Sequence, residues 1–372
     1  MIDLTNLEYS EIERFVTETL HEPKFRAKQI FGWIYGGLAK DGSFRSGVQS
    51  FEEMHNLPKT LREKLSQQAI LTKPEVLRMQ TSETDGTRKF LFRLADGNAI
   101  ESVFMQYKFG NSICVSSQAG CRMGCRFCAS TIGGLKRNLT PGEIAGQILT
   151  AQRETGQRIS HVVVMGTGEP FDNYENLAQF IRIINDPNGL NIGMRNITVS
   201  TCGLAPMIAR FAEDFPQVNL AISLHAVSNE MRDEIMPVNK AYPMETLLSA
   251  CRDYIQKTAR RITFEYTLVK GVNDSPEHAK KLASQLRGML CHVNLIPLNK
   301  VKETGYDTTE RGAVLRFQQA LTDCGIPATI RRELGDDIDA ACGQLRLSEK
   351  ESKALLRQQE NAWLRSARHR VS

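Results

Sequence analysis

The stretch Ile113-Cys-Val-Ser-Ser-Gln-Ala-Gly-Cys-Arg-Met-Gly-Cys-Arg-Phe-Cys-Ala-Ser130 begins as an apolar strand and then delivers Cys121, Cys125 and Cys128 in one short loop. A strand that runs straight into a glycine-bearing loop is where α/β proteins gather their ligands, since such loops converge at the carboxyl ends of parallel strands. Gly120 and Gly124 free the backbone to wrap a compact inorganic core. Structural zinc is closed by four ligands, whereas an iron–sulfur cubane held by three cysteines keeps one iron open to another molecule. The C-x3-C-x2-C spacing therefore points to a 4Fe-4S cluster on Cys121, Cys125 and Cys128. The alternative is a zinc knuckle with a distant fourth ligand.

Downstream of this loop the pattern repeats. HVVVM, NITVST, VNLAISL, RITFEYTL, HVNLIPL and PATIRRE are short β-branched runs separated by amphipathic segments, a βα repeat from about residue 140 onward. Thr140-Pro141-Gly142-Glu143 reads as a helix start, with a capping threonine, proline at the first helical position and glutamate three residues after the cap. About six such units form either a doubly wound sheet or a complete or partial (β/α) barrel, and pattern alone leaves the choice open. The strand ends nominate Gly168 and Glu169 in MGTGEP, Ser200 before Thr-Cys-Gly, Ser223-Leu224-His225, and Asn299 as cofactor-binding residues.

Upstream, EYSEIERFVTETL, FRAKQIFGWIY and FEEMHNLPKTLREKL read as three short helices, giving a helical N-terminal domain over residues 1–72. RKFLFRL and AIESVFMQY flank Asp96-Gly97 as a β-hairpin in a linking segment, 73–110, ahead of a barrel over 111–345. A basic tail, 346–372, ends WLRSARHRVS.

The 372 residues are 41% hydrophobic and 24% charged, enough for a large core, and the net charge of +5 permits but does not establish a nucleic-acid partner. No run approaches the roughly eighteen apolar residues of a membrane span, so the expected location is the cytoplasm with no membrane association. Nine cysteines without an export signal point to metal or thiol chemistry over a disulfide framework.

The cysteine spacing, with Phe127 before the last cysteine, resembles the radical S-adenosylmethionine superfamily, in which the open iron binds S-adenosylmethionine. The wider set ICVSSQAGCRMGCRFCAS, VVVMGTGEP, ITVSTCG, AISLH, HVNLIPLN and DIDAACGQL, with FRAKQIFGWIY, is similar to the bacterial dual-specificity 23S rRNA/tRNA adenine C2-methyltransferase family across nearly the whole chain. That resemblance implies an α/β fold built on a partial (β/α)6 radical barrel with a small N-terminal helical domain and a connecting β-hairpin. It implies methylation of carbon 2 of adenine 2503 in 23S rRNA, with adenine 37 of tRNA as a further family substrate that no residue here marks. Carbon 2 is electron-poor and does not attack a sulfonium methyl, so the family uses two molecules of S-adenosylmethionine per turnover. The first methylates the cysteine matching Cys342, and the second supplies the radical that activates this methyl group. The residue matching Glu101 accepts the ring proton, and the one matching Cys114 resolves the adduct through a transient disulfide with Cys342. A flavodoxin or ferredoxin as electron donor, a thiol reductant and a monomeric state complete the expectation.

Arg122, Arg126, Lys136 and Arg137 surround the cluster loop as candidate phosphate contacts, while Cys202, Cys251, Cys291 and Cys324 read as packing residues. Two alternatives stay open: carbon-8 methylation of the same adenine, as in a related resistance enzyme, and a non-methylating radical activating enzyme. Pro170 after Gly168-Glu169 favours carbon 2, and Cys114 with Cys342 argues against the activating enzyme.

Overall fold

The computed structural model describes residues 1–38, 43–298, 305–332 and 334–338. A ten-stranded sheet organises the chain, and its strands lie side by side in the order in which the sequence supplies them. The first three, β1 Glu75–Thr81, β2 Arg88–Arg93 and β3 Ala99–Tyr107, form an antiparallel meander that joins β4 Gly110–Cys114. From β4 the direction becomes parallel through β5 Ile159–Val164, β6 Ile197–Thr201, β7 Asn219–Ser223, β8 Ile262–Leu268, β9 Cys291–Pro297 and β10 Ala328–Ile330. The outer strands β1 and β10 do not pair with each other, so the barrel is partial, and six helical crossovers separate its seven parallel strands.

The hairpin expected around Asp96-Gly97 is β2–β3, its turn held by Gly97 and by Asp96 Oδ1 accepting from the Asn98 amide at 3.0 Å. Sequence reading missed β1. Its residues Glu-Val-Leu-Arg-Met-Gln-Thr alternate weakly, and a register shift near Val76 and Arg78 blurs the two-residue period.

The first crossover helix, α1 Pro141–Thr155, begins as its sequence requires: Thr140 Oγ1 accepts from the Glu143 amide at 3.3 Å, and Glu143 Oε2 accepts from the Thr140 amide at 3.0 Å. Arg137 grips the same carboxylate with two bonds of 2.7 Å. The helices Tyr9–Arg14, Phe25–Tyr35 and Lys59–Gln68 match the three expected near the N-terminus, the last starting only after Pro58, which gives FEEMHNLPKTLREKL a short turn ahead of its helix. Leu4, Ile12, Phe31 and Leu65 from this region belong to the same buried apolar cluster as Ile148, Val162 and Phe264 of the barrel.

Candidate active site

The carboxyl ends of the parallel strands surround a cavity of about 180 Å³, lined by Cys121, Cys125 and Cys128 at one side and by Gly168, Glu169, Ser200, Ser223 and His225 across it. The sequence nominated all eight. Of the remaining candidates, Leu224 is buried in the apolar core and does not line the cavity, and Asn299 and Cys342 lie outside the described residues. Glu265, Thr267 and Arg331 also line the cavity and were missed. Glu265 and Thr267 sit inside a strand rather than after one, where an apolar run hides inward-facing polar positions. Position within the strand period was the available signal.

The cysteine loop is sewn to its neighbour strand by point bonds. Ser116 Oγ donates to the Glu101 carbonyl at 2.7 Å and accepts from the Thr167 amide at 3.0 Å, while Ser117 and Gln118 amides both reach the Thr167 carbonyl. Gly168 sits at φ +111, and a Cβ there would stand 2.6 Å from Gln118, so only glycine lets these two loops close. Farther along, the Arg126 amide donates to the Ile235 carbonyl at 2.9 Å, and the Phe127 ring packs edge-on to His225 at 5.0 Å. His225 itself is held at φ +57. Its Nδ1 accepts from the Thr267 amide at 2.9 Å, and burial lowers its pKa to about 3, so it serves as a neutral acceptor.

Glu169 is buried, accepting from the Phe171 amide at 3.0 Å and the Cys202 amide at 2.7 Å; burial raises its pKa against those bonds. A carboxylate so placed suits a cationic ligand group in the cavity.

The three thiols fit a cubane better than a single ion. Among the described residues no three His, Cys, Asp or Glu side chains converge closely enough to hold one metal ion. A cubane binds each thiolate to a different iron, so its ligands stand apart. Burial pushes the Cys121 thiol up to about 12 and Cys125 higher still, with neighbouring acidic groups adding to both shifts. Deprotonation at neutral pH thus calls for cationic iron rather than protein charge alone.

A second constellation lies on the inner face of the sheet. Register sets Lys89, Val103, Cys114 and Val163 abreast across β2, β3, β4 and β5. Glu101, two residues before Val103, shares their face. It is buried, where a hairpin glutamate would ordinarily be solvated, and its Oε2 meets Lys89 Nζ at 2.9 Å. Burial raises the Glu101 pKa and Lys89 opposes that shift. Cys114 packs with Met165, which also lines the cavity, and with Ile338, four residues before Cys342.

Other expectations need correction. Arg122 is ion-paired to Asp172 while its side chain stays largely exposed, and Arg137 is ion-paired to Asp96 and Glu143. Cys251 and Cys291 are buried as packing residues, but Cys324 is exposed at a helix end, and Cys202 lines the cavity beside Cys125.

A partial parallel barrel whose cysteine loop faces a strand-end cavity defines a radical S-adenosylmethionine protein, and residues 115–283 match the family model of that superfamily. Residues 2–71 match the ribosomal RNA large subunit methyltransferase N-terminal domain. The chain is 51% identical to the probable dual-specificity RNA methyltransferase RlmN of Clostridium tetani over 93% of its length and 96% of the relative's. It is 52% identical to the corresponding protein of Clostridium perfringens strain SM101, over 95% and 99% respectively. A crystal structure of a radical SAM methyltransferase from Sphaerobacter thermophilus superposes with a TM-score of 0.86 at 45% identity, covering 93% of this chain and 99% of that one. The chain belongs to the dual-specificity RNA methyltransferase RlmN family, and its cofactors are a 4Fe-4S cluster and S-adenosylmethionine.

Proposed function

We propose that this enzyme methylates carbon 2 of adenine 2503 in 23S rRNA, and adenine 37 of tRNA, in the cytoplasm, through an S-methylated Cys342. The observation that carries the reading is that Cys114 and Glu101 share one inner sheet face beside the cysteine-lined cavity, while the segment leading to Cys342 packs on that face through Ile338. Ile338 stands four residues before Cys342 in the sequence.

Cys121, Cys125 and Cys128 would hold the cluster, and Gly168, Glu169, Ser200, Ser223, His225 and Asn299 the S-adenosylmethionine. Loaded this way, the site supplies a methyl donor and a hydrogen-abstracting radical. The protein's own residues carry the remainder. Cys342, as a thiolate, takes the methyl group, whose carbon later bonds to carbon 2 of an adenine extruded from folded RNA. Glu101 takes the ring proton; the adjacent Lys89 ammonium favours the ionised carboxylate this requires. The Cys114 thiolate then attacks the Cys342 sulfur, forming the disulfide as the sulfur–carbon bond breaks, and the departing carbon takes a proton to become the methyl group of the released base. A thiol reductant restores both cysteines, a flavodoxin or ferredoxin delivers electrons, and the enzyme works as a monomer. The helical residues 1–72 and the basic tail are the surfaces proposed for RNA.

The test is anaerobic reaction of the reconstituted enzyme with S-adenosylmethionine, reductant and unmodified 23S rRNA or tRNA, followed by nucleoside mass spectrometry. The expected product is 2-methyladenosine; 8-methyladenosine would transfer the enzyme to the resistance-type chemistry. Cys342→Ala should abolish methylation, and Cys114→Ala should accumulate a covalent enzyme–RNA adduct. Multiple turnover by either variant would sink the mechanism.

A further inference from the structure

Arg232 lies in the short helix Asn229–Ile235 and is fully buried, the largest side chain so enclosed among the described residues. Its guanidinium donates to the Cys202 carbonyl at 2.6 Å, to the Ser223 and Leu224 carbonyls at 3.2 Å each, and to Asn239 Oδ1 at 3.2 Å. Every one of these acceptors is neutral. Asp233 connects to it only through Asn239, whose Nδ2 donates to the Asp233 carboxylate at 2.8 Å, and Asp233 is half-exposed. Glu169 is separated from Arg232 by the Cys202 peptide, binding its amide while Arg232 binds its carbonyl, and it faces the cavity. A cation this deep normally has a directly bonded counter-charge, because hydrogen bonds to dipoles replace its hydration only in part.

The missing counter-charge stands on the other side. Cys125 packs in one buried cluster with Cys202, Ile235 and Met236, and the Ile235 carbonyl holds the Arg126 amide next to Cys125. The helix bearing Arg232 therefore buttresses the cysteine loop, and Arg232 itself binds the carbonyl of Cys202, which packs against Cys125. Three cysteine thiolates outweigh the charge of an oxidised cubane core, so the site is anionic, and reduction makes it more so by one electron.

We propose that Arg232 is the built-in counter-cation of the cluster, a positioning residue that raises the cluster's reduction potential while clamping the ends of β6 and β7. It touches no substrate. Its charge favours the state with the added electron, which arrives from an external low-potential donor without making or breaking a bond. The guanidinium suits the task because it stays charged where a lysine could lose its proton, and its fork holds several carbonyls at once.

This inference rests on Cys121, Cys125 and Cys128 holding the cluster. The experiment is a redox titration of the anaerobically reconstituted holoenzyme, followed by electron paramagnetic resonance of the reduced cluster, with neither RNA nor S-adenosylmethionine present. Arg232→Gln should move the midpoint to more negative potential at unchanged iron and sulfide content, and Arg232→Lys should retain most of the original value. An unchanged midpoint in Arg232→Gln, or equal displacement in both variants, would reduce Arg232 to a structural clamp. If Arg232→Gln does not fold, Asn239→Asp answers the same question: placing a carboxylate against the guanidinium should also lower the midpoint, and no change overturns the proposal. Failure of the underlying reading looks different, since the wild-type protein would then take up no cluster.

Discussion

At the scale of single residues, His225 combines three constraints that explain its presence at a strand end: a left-handed backbone, burial at the cavity wall, and a ring nitrogen that must accept from Thr267. Its pKa of about 3 lies below the ordinary 6.5. In that window the unfolded chain binds a proton that the folded chain refuses, so this residue's effect on stability grows more unfavourable as pH falls from 6.5 toward 3. The slope is about 1.4 kcal/mol per pH unit at its steepest. Carboxylates add slopes of their own, so the informative comparison is His225→Asn, which keeps an acceptor near the Nδ1 position and tolerates positive φ but does not titrate. Urea unfolding of cluster-free protein, where acid release of iron plays no part, should show the His225→Asn variant losing about 1 kcal/mol less per unit than the parent between about pH 6 and 4. Parallel slopes would mean that His225 is protonated or hydrated in the folded state. Such a residue was half legible: its place after AISL marked it as a candidate, but nothing in the sequence distinguishes an acceptor locked on Thr267 from a core histidine.

At the scale of elements, the functional loops are held by α1 as well as by each other, since its Gln147 is buried and makes a three-way junction. Its Oε1 accepts from Ser102 Oγ at 2.6 Å and the Ser116 amide at 2.8 Å, and its Nε2 donates to the Ser116 carbonyl at 2.9 Å. One side chain thus fixes β3, which carries Glu101, against the segment that leads into the cysteine loop. Gln147→Leu fills a similar volume but strands both polar groups of the Ser116 backbone, and the expected loss is roughly 2–3 kcal/mol in chemical unfolding, with reduced cluster uptake on reconstitution. A variant as stable as the parent would show that water or a shifted loop replaces the amide. The α1 start and the parallel strands were readable because capping residues and β-branched runs are local signals. Gln147 was not, since a glutamine on a helix reads as a solvent-facing position until the sheet that covers it is known. The same reason hid Arg232, Glu265 and the burial of Glu101, each polar in sequence and enclosed only by segments distant along the chain.

At the scale of the whole molecule, the question is whether residues 1–72 form an appendage or part of the body. Asn6 Oδ1 accepts from the Gly142 amide at 2.9 Å, in the first turn of α1, and the Asn6 carbonyl accepts from Gln179 Nε2 at 2.8 Å. Gly142 packs so closely on Thr5 that a Cβ would lie 2.3 Å from its Oγ1. Phe31, Ile34 and Tyr35 are buried in the same apolar cluster as α1, and Ile2–Asp3 closes the N-terminal region on itself by pairing with Ala69–Ile70. Removing this region would expose apolar surface on α1 and leave the Gly142 amide without its partner, at about 25 cal/mol for each Å² of apolar area uncovered. The protein should therefore tolerate deletion of residues 1–72 poorly, giving aggregated material or a chain that binds ANS and fails to take up a cluster. Supplying residues 1–72 as a separate polypeptide should restore soluble, cluster-loaded protein, because the interface carries its own hydrogen bonds and apolar contacts. A deletion variant that folds, binds its cluster and has lost only RNA affinity would establish the opposite arrangement, a barrel complete in itself with a detachable recognition module.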